Sequence, residues 1–234
     1  MSRKQILIAL GAIVLIAIAV TASLWWPRSS AEAGTTPRSG KGFQIIASDH
    51  TMGNPKAQTV LIEYAAPICP HCARFEENVF PKIKKNYIDT GKVYYVFRVF
   101  PLSPYDGAAE KLARCLPKDR YFSFIDMLFR GQPKWDPEYA EQNAALQTPD
   151  GVRAALVQMA GNAGMSQSRA DHCISDTSLD DQINNVAVDG QNRYNVSSTP
   201  TFVLDGKAMD PPYMREWGYD DMAQLLDQAL AAKK

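Results

Sequence analysis

The segment that decides the fold is TVLIEYAAPICPHC, residues 59–72. Its first six residues are β-rich, and residues 60–62 are apolar at consecutive positions, which predicts a strand covered on both faces. A Cys-x-x-Cys pair, Cys69 and Cys72, follows after a short loop. The segment therefore predicts a buried strand that leads to two thiols at the start of a helix.

The residues after Cys72 predict a helix and then a second strand. Apolar side chains recur at spacings of three and four, which is typical of one face of a helix, and Pro81 is expected to kink it. Residues 92–100, KVYYVFRVF, alternate β-branched and aromatic side chains and predict a strand. The order strand, helix, strand indicates a β-α-β unit.

The rest of the chain divides into a helical block and a short β-β-α ending. From residue 105 to about 194 the apolar periods are helical and strand signals are lacking. Strand chemistry returns at residues 201–204, and Asp205-Gly206 predicts a hairpin turn. The expected fold class is α/β, with a central mixed β-sheet flanked by helices and an all-helical insertion at about residues 103–190.

The Cys69-Pro70-His71-Cys72 tetrad carries the predicted chemistry. At a helix start, unpaired backbone N–H groups and the positive end of the helix dipole favour a thiolate at Cys69, while Cys72 is expected to face the core. Pro70 suits the first turn, and His71 adds a donor or positive charge beside Cys69. The motif predicts a redox-active disulfide, Cys69 to Cys72, and no other cofactor.

Metal binding is the alternative interpretation of the tetrad. A structural zinc site needs two further ligands, and only the separated Cys115, Cys173, His50 and His172 are available. Thiolates also suit copper(I), although no methionine or histidine cluster adjoins the motif. We therefore predict no metal site and keep a copper-binding protein as the less favoured alternative.

Several motifs together resemble the DsbA-type thiol-disulfide oxidoreductases, which have a thioredoxin fold with a helical insertion. They are Gly53-Asn54-Pro55, Glu63, the CPHC tetrad, FRVFP at residues 97–101, and Thr199-Pro200 before a strand. The resemblance covers residues 43–234. It implies that Pro200 is a cis proline beside the CPHC loop and that Thr199 offers its backbone to the substrate chain. It also implies a buried acid, Glu63, under Cys72, whose raised pKa would let it relay the Cys72 proton.

The resemblance implies an enzyme that donates disulfides to exported proteins with reduced cysteines and is reoxidised by a membrane redox partner. A stable Cys69 thiolate favours the reduced enzyme, which makes the disulfide an oxidant. Thr199 replaces the apolar residue of the strongest oxidant in the family. A disulfide isomerase or reductase on the same fold therefore remains the alternative.

The amino-terminal residues 1–26 predict a membrane anchor or a signal segment. The uncharged residues 6–26 reach about 30 Å as a helix, and Arg3 and Lys4 before them favour a cytoplasmic amino terminus. A cleaved signal peptide is the alternative, because Ala31-Glu32-Ala33 has cleavage-site spacing. Residues 27–42 predict a flexible linker. The anchor places the catalytic part on the periplasmic or extracytoplasmic side of the inner membrane, and cleavage would make the protein periplasmic or secreted.

Charge and the remaining cysteines complete the expectations. Lys plus Arg and Asp plus Glu each number 25, so no net positive field attracts a polyanion and we expect no nucleic-acid partner. Cys115 and Cys173 lie on predicted insertion helices. A structural disulfide between them is plausible in an oxidising compartment, and two buried free thiols are the alternative.

Overall fold

The computed structural model describes residues 38–40, 42–211 and 216–233. Within them the strands are β1 Arg38–Gly40, β2 Phe43–Ile45, β3 His50–Met52, β4 Thr59–Ala65, β5 Val93–Val99, β6 Thr201–Leu204 and β7 Lys207–Ala208. The α-helices are α1 Pro70–Asn78, α2 Phe80–Ile83, α3 Pro104–Cys115, α4 Tyr121–Arg130, α5 Gln132–Trp135, α6 Pro149–Asn162, α7 Gln167–Ser175, α8 Thr177–Tyr194 and α9 Tyr219–Ala231. A π-helical turn, Lys84–Ile88, continues α2.

The main sheet has five strands in the order β3-β5-β4-β6-β7. Strands β4 and β5 pair in parallel, with Glu63 opposite Phe97, while the other neighbours pair antiparallel. All seven residues of β4 are buried. The predicted mixed sheet, its central strand and the β-α-β unit are therefore confirmed.

The two faces of β4 serve two different cores. Leu61 and Ala65 face a large apolar cluster that includes α1, α2 and the helices between β5 and β6. Tyr64 and its alternate neighbours on β4 face a smaller cluster behind the sheet. Because side chains alternate along a strand, Glu63 points to the same side as Leu61 and Ala65, toward α1. The sheet thus places a carboxyl group beneath the helix that carries the dithiol.

The helix after the dithiol is interrupted, as Pro81 predicted. Helix α1 ends at Asn78, Val79 lies between the two segments, and Pro81 is in the first turn of α2. Proline cannot donate the helical N–H bond, and its ring crowds the carbonyl four residues earlier. The break therefore falls just before the proline.

The chain between β5 and β6 contains only helices and turns, from Pro104 to Tyr194. Beyond it, Asp205 and Gly206 both have positive φ, at 51° and 88°, as a tight hairpin turn of this kind requires. The turn leads into β7, which is two residues long. Strand β6 and its turn are thus where the sequence predicted them.

The amino-terminal part differs from the expectation at one point. Residues 38–40, inside the predicted linker, form β1 and pair with β2. The Arg38 guanidinium donates to the carbonyl oxygens of Pro55 and Ala57 at 3.0 and 2.7 Å, which anchors the strand. In the described part of the chain no helix has the length and apolar character that crossing a membrane requires. The predicted anchor, residues 6–26, lies outside that part.

Candidate active site

The two thiols lie where β4 leads into α1. Cys69 is the N-cap of α1, and Pro70 occupies the first turn, where no helical N–H bond is lost. Backbone N–H groups of His71 and Cys72 bond to the Cys69 sulfur. Both cysteines are free thiols, with 4% of Cys69 and none of Cys72 exposed. The first N–H groups of α1 therefore bond to the Cys69 sulfur, and Cys72 is buried.

The two thiols have opposite pKa shifts. The pKa of Cys69 is lowered to about 5, chiefly by the hydrogen bond from the Cys72 thiol and further by the Thr199 side chain and the backbone N–H groups, although burial opposes the shift. Burial raises the pKa of Cys72 well above its ordinary range, and donation of its hydrogen to Cys69 raises it further. At neutral pH these shifts favour a thiolate at Cys69 and a thiol at Cys72, which makes Cys69 the candidate nucleophile.

Glu63 is a fully buried carboxyl group on the strand beneath α1. Burial raises its pKa to about 8, and the negative charge of Cys69 adds to the shift. The Tyr95 hydroxyl donates to Glu63 Oε2 at 2.7 Å and partly counters it. Oε1 has no hydrogen-bond partner among the described residues. Glu63 is thus a neutral acid at neutral pH, with one oxygen free to exchange a proton.

Thr199 and Pro200 adjoin the nucleophile from the loop before β6. The Thr199-Pro200 peptide bond is cis. Cys69 Sγ lies 3.4 Å from the Thr199 carbonyl oxygen, the distance at which its thiol form donates a hydrogen bond. The structure therefore brings Thr199 and Pro200 together with Cys69, although they are about 130 positions apart in the sequence.

The His71 ring contacts a carboxylate at the surface, and its backbone contacts the Cys69 sulfur. Its side chain is 58% exposed, and Nδ1 lies 2.9 Å from Glu216 Oε1. Arg74, one turn along α1, donates from Nε to the same oxygen at 2.7 Å. The ring is thus held by a carboxylate, and what His71 gives the Cys69 sulfur directly is its backbone N–H. Sequence reasoning missed Glu216 because it lies 145 positions away.

Two buried polar residues of the helical insertion hold the loop that carries Cys69. Gln132 Nε2 donates to the carbonyl oxygens of Pro67 and Cys69 at 2.9 and 3.1 Å. Asp106 Oδ1 accepts from the N–H of Ile68 at 2.8 Å. Sequence reasoning missed both residues, since a glutamine and an aspartate on helices carry no local sign of such a contact. The nucleophile is thus positioned by the insertion as well as by the sheet.

A cavity of about 560 Å³ adjoins the dithiol on the side of the cis proline. Phe75, Pro200, Met209 and Trp217 form an apolar part of its lining. The polar part includes Thr199, His71, Arg74 and Glu216. A cavity of this size and mixed lining can hold side chains of an extended peptide. His71 and Thr199, whose backbones contact the Cys69 sulfur, thus line a space large enough for part of an extended peptide.

The remaining candidates fall outside this site. Cys115 and Cys173 form a disulfide that joins the end of α3 to α7. No group of three or more His, Cys, Asp or Glu side chains that could hold a metal ion occurs within the described ranges.

The fold and the dithiol define a class, the proteins with a thioredoxin fold and a redox-active Cys-x-x-Cys pair. A sequence profile described as Thioredoxin matches residues 47–228, well over half of the chain. The chain therefore belongs to the thioredoxin family, and the proteins similar to it include DsbA-type oxidoreductases.

Several of the similar proteins are named as protein-disulfide oxidoreductases or as DsbA proteins. A Rickettsia typhi protein, named as a candidate protein-disulfide oxidoreductase, is 28% identical over 193 residues, which are 80% of this chain and 64% of that one. The chain thus spans less than two thirds of this relative. The crystal structure of Wolbachia pipientis alpha-DsbA1 superposes with a TM-score of 0.65 at 29% identity, over 80% of this chain and 94% of that chain. A Novosphingobium aromaticivorans protein titled as a protein-disulfide isomerase has a TM-score of 0.65 at 26% identity, over 77% and 97%.

Proposed function

We propose that this chain is an extracytoplasmic thiol-disulfide oxidoreductase that donates disulfides to exported proteins through the CPHC pair. The observation that carries the proposal is the opposite pKa shift of the two thiols, downward at Cys69 and upward at Cys72. A stabilised thiolate favours the reduced enzyme, so the disulfide form accepts electrons readily.

The reaction begins with the Cys69–Cys72 disulfide. A substrate thiolate attacks the Cys69 sulfur, a new bond forms between the two proteins, and the Cys69–Cys72 bond breaks with the electron pair going to Cys72. A second substrate thiolate then attacks the substrate sulfur of this mixed disulfide, and Cys69 leaves as a thiolate. The substrate loses two electrons and gains a disulfide, and the enzyme is left as the dithiol.

Glu63 has the properties of the proton donor in the first step. Cys72 leaves as a thiolate in a site that strongly favours its protonated form. A carboxyl group with a pKa raised to about 8 is protonated at neutral pH and can supply that proton. Tyr95 orients the acid by donating to Oε2, which leaves Oε1 for the exchange. Glu63 thus lowers the free-energy cost of placing negative charge on the buried Cys72 sulfur.

Substrate binding is assigned to Thr199, Pro200 and the adjoining cavity. The cavity is open to the surface beside the cis proline and is lined by aromatic and aliphatic side chains. An extended chain lying along Thr199 would bring its cysteine to the Cys69 sulfur. Substrates of this kind are partly folded exported proteins with reduced cysteines.

An isomerase or reductase on the same fold is the second candidate. It is favoured by Thr199 before the proline and by the name of the Novosphingobium neighbour. An oxidase must accept electrons and then be reoxidised by a membrane redox partner, whereas an isomerase works from the dithiol. The proposal commits to the oxidase because the low pKa of Cys69 favours the reduced enzyme.

The proposal also assigns a location. Residues 6–26 would anchor the chain in the inner membrane with the dithiol on the extracytoplasmic side, or would be removed as a signal peptide. In both cases the catalytic part would lie in an oxidising compartment, where a disulfide such as Cys115–Cys173 persists. Membrane fractionation with mass measurement of the mature chain distinguishes them.

Redox equilibration with glutathione tests the activity. An oxidase should have a potential well above the value of about −270 mV of thioredoxin, and should form disulfides in a reduced, unfolded substrate. Ultraviolet thiolate absorbance against pH should give a Cys69 pKa near 5, and Cys69→Ser should abolish both signals. A potential near that of thioredoxin would instead indicate a reductase, and rearrangement of a scrambled substrate by the dithiol form would indicate an isomerase. Metal that stays bound through gel filtration would support the copper-binding alternative.

A further inference from the structure

A carboxylate from outside the dithiol helix contacts two basic side chains, His71 and Arg74, next to the Cys69 thiol. Glu216 follows β7 in the sequence, whereas His71 and Arg74 belong to α1. Glu216 Oε1 lies 2.9 Å from His71 Nδ1 and accepts from Arg74 Nε at 2.7 Å. Arg74 Nη2 also lies 3.0 Å from His71 Nδ1, so the three side chains form one cluster. One acidic group thus binds both basic side chains that α1 places beside Cys69.

The charge of Arg74 is shared between two anions. The pKa of Arg74 is raised first by its hydrogen bond to Glu216, and the negative charge of Cys69 also contributes. Arg74 lies one turn after His71, whose backbone N–H bonds to the Cys69 sulfur, so its charge acts on the thiolate across the first turn of α1 while Glu216 binds it directly. The pKa of Glu216 is lowered chiefly by Arg74 and also by His71, so its carboxylate is ionised when the dithiol reacts. The two anions compete for the same positive charge.

We infer that Glu216 restrains the oxidising power of the dithiol by drawing the positive charge of Arg74 away from the Cys69 sulfur. This inference rests on the proposed function, since it concerns the balance between the disulfide and dithiol forms. Glu216 does not touch the reacting sulfurs in this arrangement. It is a positioning residue that acts through Arg74, on the rim of the cavity beside Pro200.

The size of the effect follows from the exposure of the pair. The side chains of Arg74 and Glu216 are 46% and 48% exposed, so solvent screens their interaction strongly. Exposed ion pairs of this kind change equilibria by a factor of a few. We expect Glu216→Gln to favour the dithiol form about threefold, which corresponds to a potential about 15 mV more positive at about 30 mV per tenfold.

The test compares redox equilibria of purified full-length variants with glutathione, in non-ionic detergent and at low ionic strength. E216Q should favour the dithiol about threefold relative to the unchanged protein and lower the Cys69 pKa, read from thiolate absorbance. R74Q should shift the equilibrium in the opposite direction. In the R74Q background the added E216Q change should have a much smaller effect, because the shared cation is gone.

D171N is the matched control. Asp171 pairs with Arg153 at 2.7 Å, with side chains 40% and 45% exposed, and both lie on insertion helices outside the dithiol cavity. It changes the net charge as E216Q does and should leave the equilibrium unchanged.

Three results would overturn the inference: no shift or an opposite shift in E216Q, an equal shift in D171N, or a full E216Q effect without Arg74. The proposed function is tested by a different measurement, the absolute potential of the unchanged protein. A failure of the inference and a failure of the proposed function are therefore distinguishable.

Discussion

The buried acid makes a quantitative prediction about stability and pH. The pKa of Glu63 is about 8 in the folded protein against an ordinary value of 4.5, because burial penalises its charged form. Between these pH values the native protein keeps a proton that the unfolded chain has released. The free energy of unfolding therefore falls as the pH rises from about 4.5 to about 8, and the loss is complete above that range.

Replacement by glutamine, Glu63→Gln, should remove this dependence. At pH 7 the 2.5 pH units above the ordinary value of 4.5 correspond to about 3 kcal/mol, at about 1.4 kcal/mol for each unit. The amide can still accept from Tyr95, but its own N–H groups lack partners among the described residues, which costs about 1–3 kcal/mol. The net change in stability at pH 7 is therefore small, and the altered pH dependence is the sharper signal.

Urea unfolding of the reduced protein between about pH 5 and pH 8 measures this effect. The difference between the unfolding free energies of E63Q and the unchanged protein should grow by about 3 kcal/mol from the acid to the neutral end of that range. Glu77→Gln is the control, because Glu77 is an exposed carboxyl group on the same helix as the dithiol. Parallel curves for E63Q and the unchanged protein would refute the buried-acid assignment.

Three further variants test other parts of the structure. Tyr95→Phe removes the donor to Glu63 and should raise the pKa of that acid further, which would move the pH profile of the thiol-exchange rate upward. An unmoved profile would exclude the contact. Gln132→Ala leaves two carbonyls of the Cys69 loop without their donor and should cost about 1–3 kcal/mol in urea unfolding. Replacing Cys115 and Cys173 together by serine should lower the free energy of unfolding by about 4 kcal/mol without moving the potential of the CPHC pair, and a shifted potential would contradict its purely structural role.

The elements that the sequence predicted well are those with a local pattern. Consecutive apolar residues predict strand β4, and a proline directly after the Cys69 thiol predicts the first turn of α1. The break before Pro81 follows from the missing N–H of one residue. Each of these needs only neighbours along the chain, so one sequence suffices.

The parts that the sequence did not predict depend on contacts between distant residues. Tyr95 lies 32 positions from Glu63, Gln132 lies 63 from Cys69, and Glu216 lies 145 from His71. The sequence around each of these partners looks like that of any other strand, helix or loop. Only folding brings the partner next to the site, so no local pattern identifies it. Composition also predicted residues 38–40 to be linker, because the bonds of Arg38 that anchor them join residues 17 and 19 positions apart.

The contacts of Gln132 and Asp106 limit how far this protein could be reduced to a smaller scaffold. Both residues belong to the insertion, yet they bond the carbonyls of Pro67 and Cys69 and the N–H of Ile68. Excising the helices between β5 and β6 to obtain a minimal redox module would leave those three backbone groups bare beside the reactive sulfur. An engineer who trims the chain must therefore replace these two side chains as well as close the gap.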